Sequence, residues 1–480
     1  MKILFLTPPM GMWVYFGRMK SIYPGYAQLA AYLLEKSDVE VAVLDCPAYE
    51  YTHQQMLDEI NTIKPDIIGM GCGTTWVHCV YEAAQQIKKR FPDIKILCGG
   101  MHFNAMPIES LKEHPEIDFV VVGEGENTLL EFLEESKKRS PDYDKINGLG
   151  YRKNGKVVLT QPRCLIKDLD SLPLPAYHLF PIEKYVHYSY WPRAVRIVTS
   201  RGCSGRCSFC VQWQQYDKRM KENVGIWRGL SGKRIADQAE LLVTKYGVQM
   251  FDIQDDEFNN QAERIEEFCD EVIKRDLHFS WMFLGRADAF AKQIGLFPKM
   301  RKAGCILTLV GVEAETDEKL KSMGKNITIS EIKHGIDELR RNDIATCGTI
   351  MIGFWDDDEA IIKRRAQLLD ELDPDLMTVD ILVPYPGTDL WDELKDSPRL
   401  EIKDFRFFDM AHALMPTKYL SREEINRLAA WMNREFYSKQ KRIQRMLHGY
   451  SSPLVAACCR NYMEVASKAE ECFLKGEAFI

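Results

Sequence analysis

Thr199-Ser-Arg-Gly-Cys203-Ser-Gly-Arg-Cys207-Ser-Phe-Cys210 decides how this chain is read. Three thiols sit on one short loop, directly after a β-rich run at Ala194–Thr199, with Gly202 and Gly205 permitting tight turns. Three thiolates can ligate three irons of a 4Fe-4S cube and leave the fourth iron open to an external ligand. A zinc site would want a fourth protein ligand, and no His or Cys follows at the usual spacing. The N-terminal run Met1–Leu6 meets Pro8-Pro9 too soon for a signal-peptide core, so a cytoplasmic location is expected. There a reducing environment disfavours structural disulfides, and a tight cluster among the 14 cysteines is best explained by metal ligation. Most of the others read as buried thiols, Cys458, Cys459 and Cys472 among them.

Outward from this loop the chain alternates strands and helices in both directions. Downstream, Met250–Ile253, Ser280–Leu284, Ile306–Val310, Thr349–Ile352 and Met377–Val383 continue the strand series begun at Ala194, which predicts a full or partial β/α barrel over 194–400 with functional residues at the strands' C-terminal ends. Upstream, Lys2–Leu6, Val39–Leu44, Ile67–Met70, Ile94–Cys98 and Phe119–Val122 read as strands. They alternate with helices near Tyr26–Leu34, Gln54–Ile63, His78–Arg90 and Glu126–Lys138, the rhythm of a doubly wound parallel sheet over 1–145. Residues 146–193 break the rhythm with a hairpin turn at Asn154-Gly155 and with Ser171-Leu-Pro-Leu-Pro175, and read as a linker. From 401 to 480 the pattern is mostly helical, and this region is expected to cap the barrel and help form a substrate pocket. The chain has 480 residues, 46% hydrophobic, ample for such a core. A net charge of -7 argues against a general affinity for nucleic acid and for a small-molecule, lipid or peptide substrate. No stretch has the roughly 18 uncharged apolar residues of a spanning helix.

The Cys-x3-Cys-x2-Cys loop, with Phe209 before the last cysteine, resembles the signature of the radical S-adenosylmethionine superfamily. The resemblance implies that Cys203, Cys207 and Cys210 hold the cluster, and that S-adenosylmethionine chelates the open iron and is cleaved to a 5′-deoxyadenosyl radical. It extends along the barrel. Asp252-Ile-Gln-Asp255-Asp256-Glu257-Phe258 looks like the acidic element that receives the methionine ammonium, and Gly285-Arg286-Ala-Asp288 like an arginine position near the methionine carboxylate. Val310-Gly311-Val-Glu313-Ala-Glu315 is similar to a Gly-x-Glu-x-Gly element whose glutamate, here Glu313, binds ribose, although Glu315 replaces the second glycine. Gly348 to Gly353-Phe354 looks like the glycine-bearing strand under adenine, and Val383-Pro-Tyr-Pro-Gly387-Thr388 like the turn after the sixth strand.

The first 145 residues resemble the cobalamin-binding domain that precedes the barrel in one large class of these enzymes. That likeness rests on Pro8-Pro9, Tyr23-Pro-Gly25-Tyr26, Asp45, Cys98-Gly99-Gly100-Met-His102 and Val122-Gly123-Glu124-Gly125-Glu126. It implies cofactor contacts at Gly99, Gly100, His102, Gly123, Glu124 and Gly125, and a slot for the nucleotide tail at Gly73 and Thr74. The Asp-x-His-x-x-Gly sequence is absent, so His102 is expected in the pocket wall and not on cobalt. Aromatic groups at Tyr188, Tyr190, Trp191, Trp213 and Tyr216 flank the cluster loop. The functional expectation is methyl transfer to an unactivated carbon, with an electron donor such as flavodoxin or ferredoxin. The alternatives are radical ring closure or oxidation without methyl transfer, as in the anaerobic magnesium-protoporphyrin monomethyl ester cyclases, and a non-enzymatic cofactor-binding sensor. No residue in the sequence stands out as a catalytic acid or base.

Overall fold

The computed structural model describes all residues except 12, 15, 16, 19, 188–190, 214–226 and 476–480. Tyr188, Tyr190 and Tyr216 therefore lie outside the described residues.

The N-terminal sheet is built from short apolar runs covered on both faces, as parallel strands must be. Strands β1 (Lys2–Thr7), β2 (Glu40–Asp45), β3 (Ile67–Gly71), β4 (Lys95–Gly99) and β5 (Phe119–Val121) pair in the order β2-β1-β3-β4-β5, all parallel. Along β1 the side chains alternate. Ile3 and Phe5 pack with Ala27 and Ala30 of α1 (Pro24–Lys36), while Leu4 and Leu6 pack with Met56 and Ile60 of α2 (His53–Ile63) and with Val80 and Ile87 of α3 (Val77–Arg90). Helix α4 (Gly125–Ser136) joins α1 on the first face through Leu129 and Phe132. The chain leaves β1 for β2 on one side and returns to β3 on the other, so a crevice opens beyond the carboxyl ends of β1 and β3.

The predicted Asn154-Gly155 turn joins β6 (Leu149–Lys153) to β7 (Lys156–Leu159), with positive φ at both residues (51° and 76°) as a two-residue hairpin of the primed type requires. This hairpin adds to the sheet. Strand β6 pairs antiparallel with β5 and β7 with β6, so the segment read as a linker begins as two further strands of the first sheet. The stretch after it is strapped down as well: Ala176 N–H donates to Ala27 O (2.9 Å), Gln28 Nε2 to Pro173 O (3.0 Å) and Tyr185 Oη to Asp45 Oδ2 (2.8 Å).

The second sheet has six parallel strands in sequence order: β8 (Ala194–Ile197), β9 (Met250–Ile253), β10 (Ser280–Gly285), β11 (Cys305–Glu313), β12 (Ala345–Ile352) and β13 (Leu376–Ile381). It is a partial (β/α)6 barrel. Helices α5 (Gly232–Tyr246), α6 (Ala262–Lys274), α7 (Ile329–Arg341) and α8 (Glu359–Leu372) cover its outside. Strand β12 starts four residues before the predicted Thr349. Ala345-Thr346-Cys347-Gly348 has modest strand propensity, but it is paired along its length by β11 and from Cys347 by β13, and Asp375 accepts the Thr346 N–H (3.0 Å).

The C-terminal helices α9 (Arg422–Tyr437), α10 (Gln440–His448) and α11 (Pro453–Lys475) differ from expectation. Val455, Cys458, Cys459 and Tyr462 of α11 are packed against Ala194, Met250, Met282, Leu307, Ala345 and Leu376, the inward side chains at the beginnings of the six strands. Helix α11 therefore plugs the barrel floor, the end opposite the cysteine loop, helped by Met446 of α10. The part of the C-terminal region at the functional end is the loop around Phe405–Met410, which opens with a 3-10 turn over Phe405–Phe407. There Phe408 O accepts from Tyr385 Oη (2.8 Å) and from Thr75 Oγ1 of the N-terminal domain (2.7 Å). Among the described residues no helix is long and apolar enough to cross a membrane.

Candidate active site

The cysteine loop leaves the carboxyl end of β8. It is supported from below by Asp255, 1% exposed, which accepts Thr199 N–H (2.5 Å), Thr199 Oγ1–H (2.5 Å) and Ser200 N–H (3.0 Å). Glu257 accepts Ser204 N–H (2.7 Å) and Oγ–H (3.0 Å). From the side, Ser208 N–H donates to Met323 O (3.1 Å), and Gly324, with φ of 78°, lies so close to the Arg206 carbonyl that a side chain there would collide with it. Trp213 Nε1 donates to Cys207 O (2.8 Å), which makes that aromatic part of the loop's frame. Burial pushes the Cys203 and Cys210 thiols up to about 12 and raises Cys207 too; bound iron, which takes thiolates, reverses this. Among the described residues no three His, Cys, Asp or Glu side chains converge as ligands of one ion do. A cube takes one thiolate per iron and needs no such convergence, so the donor set fits the cluster.

Around this loop the barrel gathers the other predicted residues. Asp255 and Glu257 hold backbone, as described. Among the described residues Asp256 receives the Gly202 N–H and no guanidinium or ammonium contributes to its shift; burial, then Asp255, raises its carboxyl to about 7. It suits a cationic ligand better than either neighbour. Arg286 Nε and Nη2 fork onto Asp288 (3.0 and 2.9 Å), Nε lies 3.5 Å from Glu257, and the guanidinium fills the space a Cβ on Gly205 would take. Glu313 ends β11 at a bulge, with φ of 64°, and accepts from Lys325 Nζ (2.8 Å) and Thr349 Oγ1 (3.3 Å). Glu315, the departure from the glycine pattern, has a structural use. It accepts from Arg365 Nε (2.6 Å), and the same fully buried guanidinium forks onto Asp357 (2.6 and 2.8 Å), which in turn accepts the Gly353 and Phe354 N–H groups (2.9 and 3.1 Å). Gly353 takes φ of 91°, and Phe354 meets Phe209 edge-on at 6.4 Å.

The crevice of the first sheet is a cavity of about 390 Å³. Its floor is side-chain-free at Gly69, Gly71, Gly99 and Gly100, its walls include Tyr23, Leu97 and Leu129, and its barrel side is Val198–Arg201. Tyr26 braces it: its hydroxyl accepts Gly71 N–H (2.6 Å) and donates to Leu6 O (3.0 Å). A bare glycine floor between apolar walls fits a flat ring system, so the residues present suit the nucleotide end of cobalamin. Gly123, Glu124 and Gly125 border the cavity as well.

Three predicted residues lie elsewhere. His102, 1% exposed, has Tyr81 Oη at Nε2 (3.1 Å) and Thr74 Oγ1 at Nδ1 (3.3 Å), packs on Phe405, and is pushed down to about 3 by burial and by His114. It is a neutral core residue. Thr74 is its partner, and Gly73 opens a 3-10 turn that carries Thr75 towards Phe408. The glycine-floored cavity is bordered by Gly69, Gly71, Gly99 and Gly100, and Gly73 and Thr74 are not among its lining residues. Arg201 and Lys325, which meet Glu124, Glu126 and Glu313, and Asp380, whose charge feels Glu313, carry no sign of these carboxylates in the residues next to them in the chain.

Residues 22–133 match the B12 binding domain family and residues 197–365 the radical SAM superfamily. The anaerobic magnesium-protoporphyrin IX monomethyl ester cyclase of Rubrivivax gelatinosus is 30% identical over 437 residues, covering 88% of this chain and 77% of that one. The uncharacterized methyltransferase PH0819 of Pyrococcus horikoshii is 28% identical over 445 residues, 93% and 94% of the two chains. The solved structure of the radical S-adenosylmethionine methyltransferase TsrM from Kitasatospora setae, with cobalamin and a [4Fe-4S] cluster bound, shares the fold with a TM-score of 0.69 at 17% identity, over 98% of this chain and 99% of that one. With the cysteine loop, the acidic element and the glycine-floored crevice set at facing ends of two α/β units, the chain belongs to the radical S-adenosylmethionine enzymes that carry a cobalamin-binding domain, whose cofactors are a 4Fe-4S cluster, S-adenosylmethionine and cobalamin.

Proposed function

We propose that this enzyme transfers a methyl group to an unactivated carbon of a small-molecule, lipid or peptide substrate. The observation that carries the reading is the shared wall: Val198–Arg201, which lead straight into Cys203, also form the barrel side of the glycine-floored cavity. When bound, the cluster and S-adenosylmethionine supply a radical that removes a hydrogen atom, and cobalamin supplies the methyl group. The chain's own work is placement. Cys203, Cys207 and Cys210 hold the cluster, Asp256 faces the methionine ammonium, and Arg286, swung from Asp288, meets the carboxylate. Glu313, steered by Lys325, takes the ribose hydroxyls, while Phe209, Gly353 and Phe354 receive adenine. Gly99, Gly100, Gly123 and Gly125 admit cobalamin. The plugged floor closes the end of the barrel opposite the cluster loop, which limits the access of water from that side.

The test is anaerobic reconstitution with iron, sulfide and hydroxocobalamin, removal of unbound cofactor, and quantification of cobalt and of the products of S-adenosylmethionine under reduction by flavodoxin or ferredoxin. Stoichiometric cobalt with S-adenosylhomocysteine and 5′-deoxyadenosine supports methyl transfer. Cobalt with 5′-deoxyadenosine alone, in the presence of a turned-over substrate, assigns ring closure or oxidation, the reading favoured by the identity with the Rubrivivax cyclase. Iron without cobalt removes cobalamin from the scheme.

A further inference from the structure

Glu124 and Glu126 do not spend their carboxylates on the cavity they border. Arg201 Nη1 donates to Glu124 Oε1 (3.0 Å) and its Nη2 to Glu126 Oε1 (2.5 Å). Arg228, paired with Arg201 across a short antiparallel ribbon, gives Nη1 to the same Glu124 oxygen (2.8 Å) and to Ile166 O (2.7 Å). The other Glu124 oxygen accepts Ile166 N–H (2.6 Å). The two carboxylate side chains are 5% and 4% exposed. The loop that carries them is fixed in turn, because Asn104 Oδ1 accepts the Gly123 N–H (2.9 Å) and Gly123 takes φ of 93°, a conformation few other residues tolerate.

We propose that Arg201 is a positioning residue that sets the separation of the two cofactors, by fixing the cluster loop to the Glu124–Glu126 loop of the cobalamin domain. The proposal rests on the two-cofactor reading above. Arg201 is two residues from Cys203, with only Gly202 between, and Arg201, Glu124 and Glu126 all border the cavity. The path from cavity wall to cluster ligand is therefore one buried forked ion pair and three residues of backbone. Such a pair is a poor source of stability, since desolvating its charges offsets their attraction, but a guanidinium forked between two carboxylates admits one geometry and resists sliding. The chemistry needs that precision: a substrate carbon must lie between the adenosyl radical and the methyl donor, and a misplacement of about 1 Å costs on the order of a hundredfold in rate.

The experiment uses the holoenzyme with cluster and cobalamin bound, both reduced to paramagnetic states, and reads the cluster-to-cobalt distance distribution by pulsed electron paramagnetic resonance. Wild type is expected to give one narrow distribution. Arg201→Met is expected to broaden it at least twofold or shift its centre, and Arg201→Lys, which keeps charge but loses the fork, to fall between. Should Arg201→Met fail to fold, Glu126→Gln, which weakens one arm, is expected to broaden the distribution in the same way. Wild-type distributions in Arg201→Lys and Glu126→Gln, with melting temperature alone lowered, would overturn the positioning role. Absence of cobalt from the wild-type holoenzyme would instead defeat the two-cofactor reading.

Discussion

Three adjacent acids after β9 have three different fates, and burial alone does not separate them. Asp255 and Glu257 are consumed by backbone and hydroxyl donors, whereas Asp256 is left with one N–H and a carboxyl raised to about 7. Asp256→Asn is therefore expected to weaken S-adenosylmethionine binding at least tenfold, read by equilibrium dialysis, with thermal stability unchanged or slightly raised. Asp380, inward on β13, is a second unpaired acid. Its Oδ1 is buried without a partner, and burial followed by the Glu313 charge raises the carboxyl to about 8. An unfolded aspartate titrates near 4, so between about pH 4 and pH 8 the folded state holds the extra proton and stability falls as pH rises. Asp380→Asn removes that titration: little change at pH 4, and a gain of about 1–3 kcal/mol above pH 8, measured by urea denaturation across the range. A variant with the wild-type pH slope would show that Asp380 is not the group responsible. Neither acid announces itself in sequence. Asp256 sits in a recognisable run, but Arg264 lies beside Asp255 and Arg286 beside Glu257, both brought there from other elements.

At the scale of elements, the substitution of Glu315 for glycine is compensated by Arg365, which ties the end of β11 to the loop after β12 through Asp357. Arg365→Met would strand two carboxylates inside the protein, and a loss of about 3–5 kcal/mol in urea denaturation is expected. The crevice of the first sheet depends on glycines at strand ends. A Cβ on Gly99 meets nothing closer than 3.7 Å, so Gly99→Leu is tolerated by the backbone while its side chain enters the cavity. Cobalamin binding by absorbance titration is expected to weaken at least tenfold with iron content unchanged. Element positions were largely legible: the strands of both sheets fall within a few residues of their apolar runs, because parallel strands covered on both faces leave a strong local pattern. The departures, the early start of β12 and the docking of the hairpin onto β5, come from pairing with strands that the local pattern does not contain.

Across the whole molecule, the two sheets direct their carboxyl ends at one another while α11 seals the far end of the barrel. Cys458, fully buried against the barrel floor, is the centre of that seal. Cys458→Asp would place a charge among Met250, Met282 and Leu307, and destabilisation by several kcal/mol is expected, about 3 or more, with exposure of apolar surface read by dye binding. A soluble variant of unchanged melting temperature would mean that the helix does not close the barrel in solution. The two units meet through side chains far apart in sequence: Arg201 and Glu124 are 77 residues apart, Arg201 and Glu126 are 75.

That distance marks the division between what sequence and structure each decide. Legible from the residues alone were the three thiols of one loop, the alternation that makes two α/β units, and the acidic, arginine and glycine positions that the fold gathers near that loop. Ligands on one loop and side chains on one strand are held together by covalent connection and by a repeat of two or 3.6 residues, so their proximity is written locally. Tertiary packing settles which carboxylates meet guanidinia, that His102 is core, that Glu124 and Glu126 grip Arg201, and that the last helix closes the floor and not the end that carries the cysteine loop. Each of those outcomes depends on groups brought together by the packing of separate elements, where burial and a single ion pair outweigh anything the neighbouring residues prescribe.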